Sequence, residues 1–421
     1  MSLNQAWGEL FSKLDIRSQL ENSGRFDLTA VQIKKFTGKE PRVMSKWDSR
    51  DARPEVLRNA EVTILPTSRQ GYVLLKGDGY LDLPQAEPAM HHSPEKLSGF
   101  TTLPWRQVLT KESVAIDVAA ISSMLRKFTK EENLALTIRG RSGTSKFDFN
   151  FQGVSNSHQV TVDRSTVEVD AGFEGDSVWL IEAKIGEPED FLVRQLFYPW
   201  RLWKTLTDKP VVPLFLTYTN KTFGLFRYGF RADDNYHSIE LQDKSWFTLD
   251  EPEGVASLEN LYEASKPVKP PGGIPFPQAD TLGTVIAATE LCAGAENTAR
   301  EISDALSFDQ RQGNYYTTAA EWLGLVAREG PRRELTVPGR AFVAASRAQR
   351  FKILFQAVAA TPVFRESIRR RLEHHPATTE AIAEISASKG YANQITANRR
   401  AKTVEAWLVW LWREHANLRK A

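Results

Sequence analysis

The sequence predicts an α/β protein, a mixed sheet flanked by helices, followed by a separate part made of short helices and a hairpin. Three observations carry that reading. The stretch from Val167 to Lys184 reads as two β-runs joined by a turn. Apolar runs at 211–216, 223–230 and 239–241 continue the sheet, and helical spacing of apolar residues at 110–128 and after Pro188 supplies the flanking layers. Finally, Lys266-Pro-Val-Lys-Pro-Pro-Gly-Gly-Ile-Pro-Phe-Pro277 continues neither a helix nor a central strand and marks a boundary.

A chain of 421 residues is too long for one ordinary core. The expected division is an N-terminal α+β region without an assigned role (1–100), an α/β core (101–250), a Pro-rich linker (251–280), a small domain (281–345) and a C-terminal helical region (346–421). A single cysteine, Cys292, excludes an intrachain disulfide and a cysteine-rich zinc site, and fits a reducing cytoplasm. The first residues carry no basic and apolar export signal, and no run approaches the length of a membrane span, so a cytoplasmic protein without membrane contact is expected. Net charge is +2, but residues 331–421 hold 17 Lys and Arg against 7 Asp and Glu, which leaves the preceding 330 residues acidic. A basic C-terminal part suits phosphate contact, as it also suits ordinary solvated helices.

In chain order, Trp7, Leu10, Phe11 and Leu14 give an amphipathic helix over 5–20. The polar stretch 38–58 contains Arg42, Lys46, Arg50 and Arg53 and reads as a solvated connection rather than a phosphate grip. Strands follow at 60–66 and 71–75, then a Pro-containing connection over 82–104. No chemistry is expected in the first hundred residues, and His91-His92 reads as exposed and polar. The helix at 110–128 buries Val114, Val118, Ile121, Met124, Leu125 and Phe128 and carries Glu112 and Asp117. Strands at 135–139 and 146–152 are separated by Gly140-Arg-Ser-Gly143, read as a turn. Beyond the central hairpin, a helix starting at Pro188 places Gln195 on its apolar side and is expected to bend or end at Pro199.

In the second run of the hairpin, Val178, Leu180, Glu182 and Lys184 share one face. With a three-residue loop Gly175-Asp176-Ser177, Glu174 faces Val178 and the register carries Asp170 opposite Glu182. Opposed carboxylates roughly 5 Å apart repel unless a cation sits between them, and Mg²⁺ is the obvious one. Lys184, one step further on the same face, is then placed to act on a water or a developing phosphorane charge. Taken by itself, a Glu-x-Lys on a strand is also an ordinary solvated charge pair.

Asp170 on one strand and Glu182-Ala-Lys184 on the next resemble the motif of the PD-(D/E)xK nuclease superfamily, with Val169 where the motif's Pro would stand. The runs Gln195-Leu-Phe-Tyr-Pro-Trp-Arg201 and Arg311-Gln-Gly-Asn-Tyr-Tyr-Thr-Thr-Ala-Ala-Glu-Trp-Leu-Gly-Leu325 look like those of type II restriction endonucleases that join this core to a winged helix. The resemblance covers roughly residues 100 to 340. It implies a restriction-endonuclease-like mixed sheet and a Mg²⁺-dependent, sequence-specific enzyme that hydrolyses double-stranded DNA. Asp170, Glu182, Lys184 and Gln195 would be catalytic, and Asp170, Glu182 and Glu112 would hold the metal. It also implies a cognate DNA methyltransferase acting on the same site. A methylation-dependent nuclease and a catalytically inactive DNA-binding regulator are the alternatives.

After the linker, a helix from Asp280 or Thr281 to about Leu291 is followed by two helices with capping boxes at Thr298/Glu301 and Ser307/Gln310, and by a hairpin over 326–335. This is the order of a winged helix-turn-helix, with the third helix as the reader. Gln310, Arg311, Gln312, Asn314 and Tyr315 would face base edges, and Arg332 and Arg333 at the wing tip would meet phosphates. The remaining helices pack on this module or form a homodimer.

Overall fold

The computed structural model describes residues 1–268, 272–294, 297–306, 310–375, 378–388 and 394–420. Its centre is a seven-stranded mixed sheet. In spatial order the strands are Met90–His91, Ile239–Thr248, Thr222–Phe230, Val211–Thr219, Val178–Ile185, Thr166–Glu174 and Ala135–Gly143. Neighbours are antiparallel except Val178–Ile185 with Val211–Thr219 and Ile239–Thr248 with Met90–His91. The parallel pair needs a crossover, which the helix Arg194–Trp203 supplies.

Period-two alternation along Val178–Ile185 sends Trp179, Ile181, Ala183 and Ile185 into the main core on one face. Helices Glu112–Ile121 and Met124–Thr129 cover that face together with C-terminal helices. On the opposite face Val178 and Leu180 are buried with Val169 against Trp203 of the helix Arg194–Trp203, which packs Leu196, Phe197 and Trp200 among the aromatic side chains of neighbouring strands. Glu182 and Lys184 continue this second face, so they point toward the helix carrying Gln195.

The N-terminal unit has its own three-stranded sheet, ordered Arg25–Thr29, Gly71–Lys76, Val62–Pro66. Ile64, Tyr72 and Leu74 enter a core with Trp7, Leu10 and Ile33 of its helices, whereas Leu65, Val73 and Leu75 face the other way and pack with Phe147, Phe149 and Tyr198 of the body. Alternate residues of the same strands therefore serve two cores, which fixes the unit against the body.

Several local expectations are corrected. The helix expected over 5–20 breaks at Asp15, and that over 110–128 breaks at Ser123, both in the left-handed region with φ of 48° and 72°. Gly140–Gly143 is not a turn but the end of strand Ala135–Gly143, whose irregular register against Thr166–Glu174 absorbs the glycine at φ 97°. The stretch 147–152 does not extend the central sheet: it pairs with Ser157–Val162 in a separate hairpin. Asp190–Leu192 forms a short strand with Tyr80–Asp82, so the helix begins at Arg194 rather than at Pro188. That helix continues through Pro199 to Trp203, its burial among Phe147, Phe149, Phe230 and Tyr236 outweighing the one intrahelical bond that proline cannot donate.

The C-terminal third is continuous with the body. Helices Leu282–Leu291, Ala299–Ala305 and Gln310–Trp322 are followed by the hairpin Val326–Glu329/Arg332–Leu335 and further helices. Within the expected linker, Leu258–Ala264 is helical, and Phe276 is buried, stacked on Phe364 with ring centroids 5.8 Å apart. Two buried ion pairs fasten this part to the turn after Val211–Thr219. Arg350 donates to Glu290 at 2.6 Å, Glu290 also accepts from the Asn220 amide, and Arg347 grips Glu414 through two bonds of 2.8 Å. Removing one partner of such a pair leaves a buried charge, so Glu290→Ala should cost about 3–5 kcal/mol in urea unfolding, whereas Glu290→Met with Arg350→Met should cost far less. A loss below about 1 kcal/mol for the single variant would mean that the pair is not what couples the two parts.

Candidate active site

The hairpin has the expected register: Glu174 pairs with Val178 across Gly175-Asp176-Ser177, and pairing runs on to Ala171 and Ile181. One step further the backbone ladder stops. There the Asp170 side chain replaces it, its Oδ2 accepting the Ala183 amide at 2.9 Å. Asp170 is thereby fixed beside the strand that carries Glu182 and Lys184. Lys184 Nζ donates to Glu182 Oε1 at 2.6 Å, and Gln195 Nε2 donates to the same oxygen. Glu112, at the first turn of its helix, lies 3.8 Å from Lys184 Nζ. All five side chains expected at the catalytic and metal site, Asp170, Glu182, Lys184, Gln195 and Glu112, are thus gathered at one place.

A sixth comes from the N-terminal unit, where no chemistry was expected. Asp48 is buried, with Oδ2 3.9 Å from Lys184 Nζ and 3.7 Å from Lys46 Nζ. Its backbone is held by Leu192, whose amide donates to the Asp48 carbonyl at 3.0 Å, and by Arg50, whose amide donates to the buried Asp190 at 2.8 Å. The Arg50 guanidinium also binds Asp78 and Asp82. Arg50 and Arg53 are therefore structural, Arg53 being buried with its guanidinium on the Val62 carbonyl. Nothing local in the sequence marks Asp48, because only the folding of the N-terminal unit across the strand ends brings it in.

Four carboxylates, Asp48, Glu112, Asp170 and Glu182, thus surround one ammonium. Burial pushes Glu182 up to about 7 despite Lys184, and raises Asp170 and Glu112 from their ordinary values. Burial alone would lower Lys184, but Glu182, Glu112, Asp48 and Asp170 together hold it well above its ordinary value. Lys184 is consequently a fixed cation and hydrogen-bond donor. Among the described residues, Glu182 Oε2 and Asp170 Oδ1 take no hydrogen bond, and Gln195 Oε1 is buried without a partner. No three Asp, Glu, His or Cys side chains among the described residues form a ready-made metal cage. Carboxylate oxygens are hard donors, so Asp170 and Glu182 are the side chains here that could serve as ligands to a hard cation that keeps most of its waters. The buried Gln195 oxygen is an acceptor for such a water.

The residues expected to contact DNA are differently placed. Gln310 and Arg311 have side chains outside the described residues, as is all of Ser307. Gln312 is half-buried and donates to the Asp51 carbonyl of the N-terminal unit at 3.1 Å. Asn314 and Tyr315 are half-buried. Arg332 is exposed, but Arg333 is 1 % exposed and pairs with Glu321 at 3.0 Å, because the strand's alternation points it inward. Arg333 is therefore not a wing-tip contact. His91 and His92 bond to the carbonyls of Asp250 and Ser122.

Three family models match consecutive parts of the chain, each described as a domain of unknown function: DUF6996 over residues 4–74, DUF6997 over 75–248 and DUF7226 over 284–416. No curated protein and no solved structure matches. The carboxylate cluster draws Asp48 from the first matched part and its other members from the second. No helix among the described residues is long and apolar enough to cross a membrane.

The raised Glu182 has a measurable consequence. A carboxyl whose folded value lies above its ordinary 4.5 favours folding below that value, and the contribution is lost as pH rises through about 7. In chelator, Glu182→Gln should therefore unfold several degrees above the unsubstituted protein at pH 8, with the difference narrowing at pH 5. A variant that melts lower at pH 8 would show that the Lys184 ion pair outweighs desolvation.

Proposed function

We propose that this protein is a Mg²⁺-dependent endodeoxyribonuclease of the PD-(D/E)xK type that hydrolyses phosphodiester bonds in double-stranded DNA at specific sites, as type II restriction enzymes do. The observation that carries the proposal is the convergence of Asp170 with Glu182-Ala-Lys184 on paired strands, with Gln195 and Glu112 closing on the same point. The mixed sheet with helices on both faces is compatible with a restriction-endonuclease-like core. Three helices followed by a hairpin, over 282–335, have the order of a winged helix.

In this reading Asp170 and Glu182 would hold the metal, with Glu112 and Asp48 adding negative charge around it. The ion would polarise a phosphoryl oxygen and acidify a bound water. Lys184 supplies a positive charge and donor for the non-bridging oxygens as charge grows on the phosphorus centre. Its amine stays protonated in the metal-free cluster, so its part there is orientation and charge, not proton abstraction. Gln195 fixes the Glu182 carboxylate through one amide atom and offers its other to a water.

Cleavage of unmethylated and methylated plasmid with Mg²⁺ and with chelator tests the reading. Cutting should require the metal and vanish in Asp170→Ala and in Glu182→Ala. Lys184→Ala should fall by about a thousandfold or more, a barrier increase of roughly 4 kcal/mol, with the fold intact. Any of these variants cutting within about tenfold of the unsubstituted chain would overturn the assignment of that residue.

A further inference from the structure

The cleft above the carboxylate cluster has a volume of about 430 Å³ and two walls from different parts of the chain. Arg42, Lys46 and Arg69 line it from the N-terminal unit, and Arg141 and Arg194 from the body. Arg42, Lys46, Arg69 and Arg141 are exposed, whereas the cluster on the floor is largely buried. Charge is therefore separated by depth, negative below and positive at the rim. A polyanion that sets one phosphodiester on the floor finds cations for its flanking phosphates.

The two walls already share an anion. Arg42 lies 3.3 Å from Glu168 and Arg141 lies 3.3 Å from the same carboxylate, with all three side chains about half exposed. Exposed pairs of this kind contribute at most about 1 kcal/mol, so a phosphate can take the place of Glu168 at little cost. The basic surplus of residues 331–421 is less available. Arg333, Arg347 and Arg350 are buried in ion pairs, Arg413 holds Glu187, and Arg369 and Arg370 hold Glu366.

We propose that the N-terminal unit is a backbone-gripping jaw. Arg42, Lys46 and Arg69 bind the phosphates of duplex DNA on one side of the cleft while Arg141 meets them from the other. The proposal rests on the nuclease reading for its choice of polyanion, but backbone binding and hydrolysis are measured separately. The chain's contact with DNA then depends chiefly on residues 42–69 and not on the basic C-terminal helices.

The test is fluorescence anisotropy of a labelled 30-base-pair duplex with the full chain in chelator, over a salt series. R42Q/K46Q/R69Q should bind at least about fivefold more weakly, with a salt slope lower by roughly 2–3, near 0.9 per lost phosphate contact. The charge-matched R17Q/K34Q/K35Q, on exposed positions that do not line the cleft, should bind as the unsubstituted chain does. Each single jaw variant should lower the slope by about one, which guards against a fold defect in the triple variant. A smaller change than fivefold with an unchanged slope, or an equal loss in the control, overturns the jaw. Tighter binding of duplex RNA than of duplex DNA overturns the DNA assignment. If the jaw variants lose binding while Mg²⁺ supports no cutting by the unsubstituted chain, the jaw stands and hydrolysis fails. If cutting occurs and the jaw variants bind normally, the reverse holds.

Discussion

Burying a charged pair at the end of an apolar strand is the constraint around which this protein is arranged. Val178 and Leu180 occupy the same face as Glu182 and Lys184, so the strand passes from hydrocarbon contact to full charge within two residues. Desolvating either ion alone costs several kcal/mol, and their mutual attraction repays it only when further polar groups complete the shell. Here those groups arrive from four directions: Asp170 from the neighbouring strand, Gln195 from the crossover helix, Glu112 from a helix N-terminus and Asp48 from the N-terminal unit. Burial first, and the neighbouring carboxylates after it, keep the carboxyls raised in spite of the one ammonium.

How much of this could be read from the chain follows from sequence separation. Asp170, Glu182 and Lys184 lie within fifteen positions and are related by strand period and a three-residue loop, two rules that fix register without tertiary information. Gln195 and Glu112 needed a family resemblance to single them out, since an amide on a helix's apolar side and an acid at a helix start both have ordinary explanations. Asp48 had neither a local pattern nor a resemblance. Its position depends on Arg50 meeting Asp190 across 140 residues, and no periodicity encodes that. The helix interruptions had no local signal either: Asp15 and Ser123 adopt left-handed conformations, although neither is the glycine that such a position favours.

The C-terminal part shows where composition misleads. A proline-rich stretch and a surplus of lysines and arginines suggest a separate module with phosphate contacts. In the folded chain, Phe276 from that stretch is sandwiched among Phe364 and Trp322, and three of the arginines are nearly inaccessible partners of Glu290, Glu321 and Glu414. Net charge counts ions without regard to whether they neutralise one another inside. Buried arginines with a rigid, planar set of donors suit such internal pairing better than lysines would, and none of these three buried pairs uses lysine.

The same logic bears on where one unit ends and another begins. The family boundary between residues 74 and 75 falls inside strand Gly71–Lys76, and the one at residue 284 falls inside helix Leu282–Leu291. Neither is a place where chain contacts are sparse. Strand Gly71–Lys76 sends Leu74 into the N-terminal core and Val73 and Leu75 into the core of the body, so cutting there would expose two apolar faces at once. The segment that carries Asp48 is likewise tied to strand Asp190–Leu192, which directly precedes the Gln195 helix. The cluster therefore belongs to the assembled chain, and the central sheet would lose one carboxylate and one wall of its cleft without the N-terminal unit.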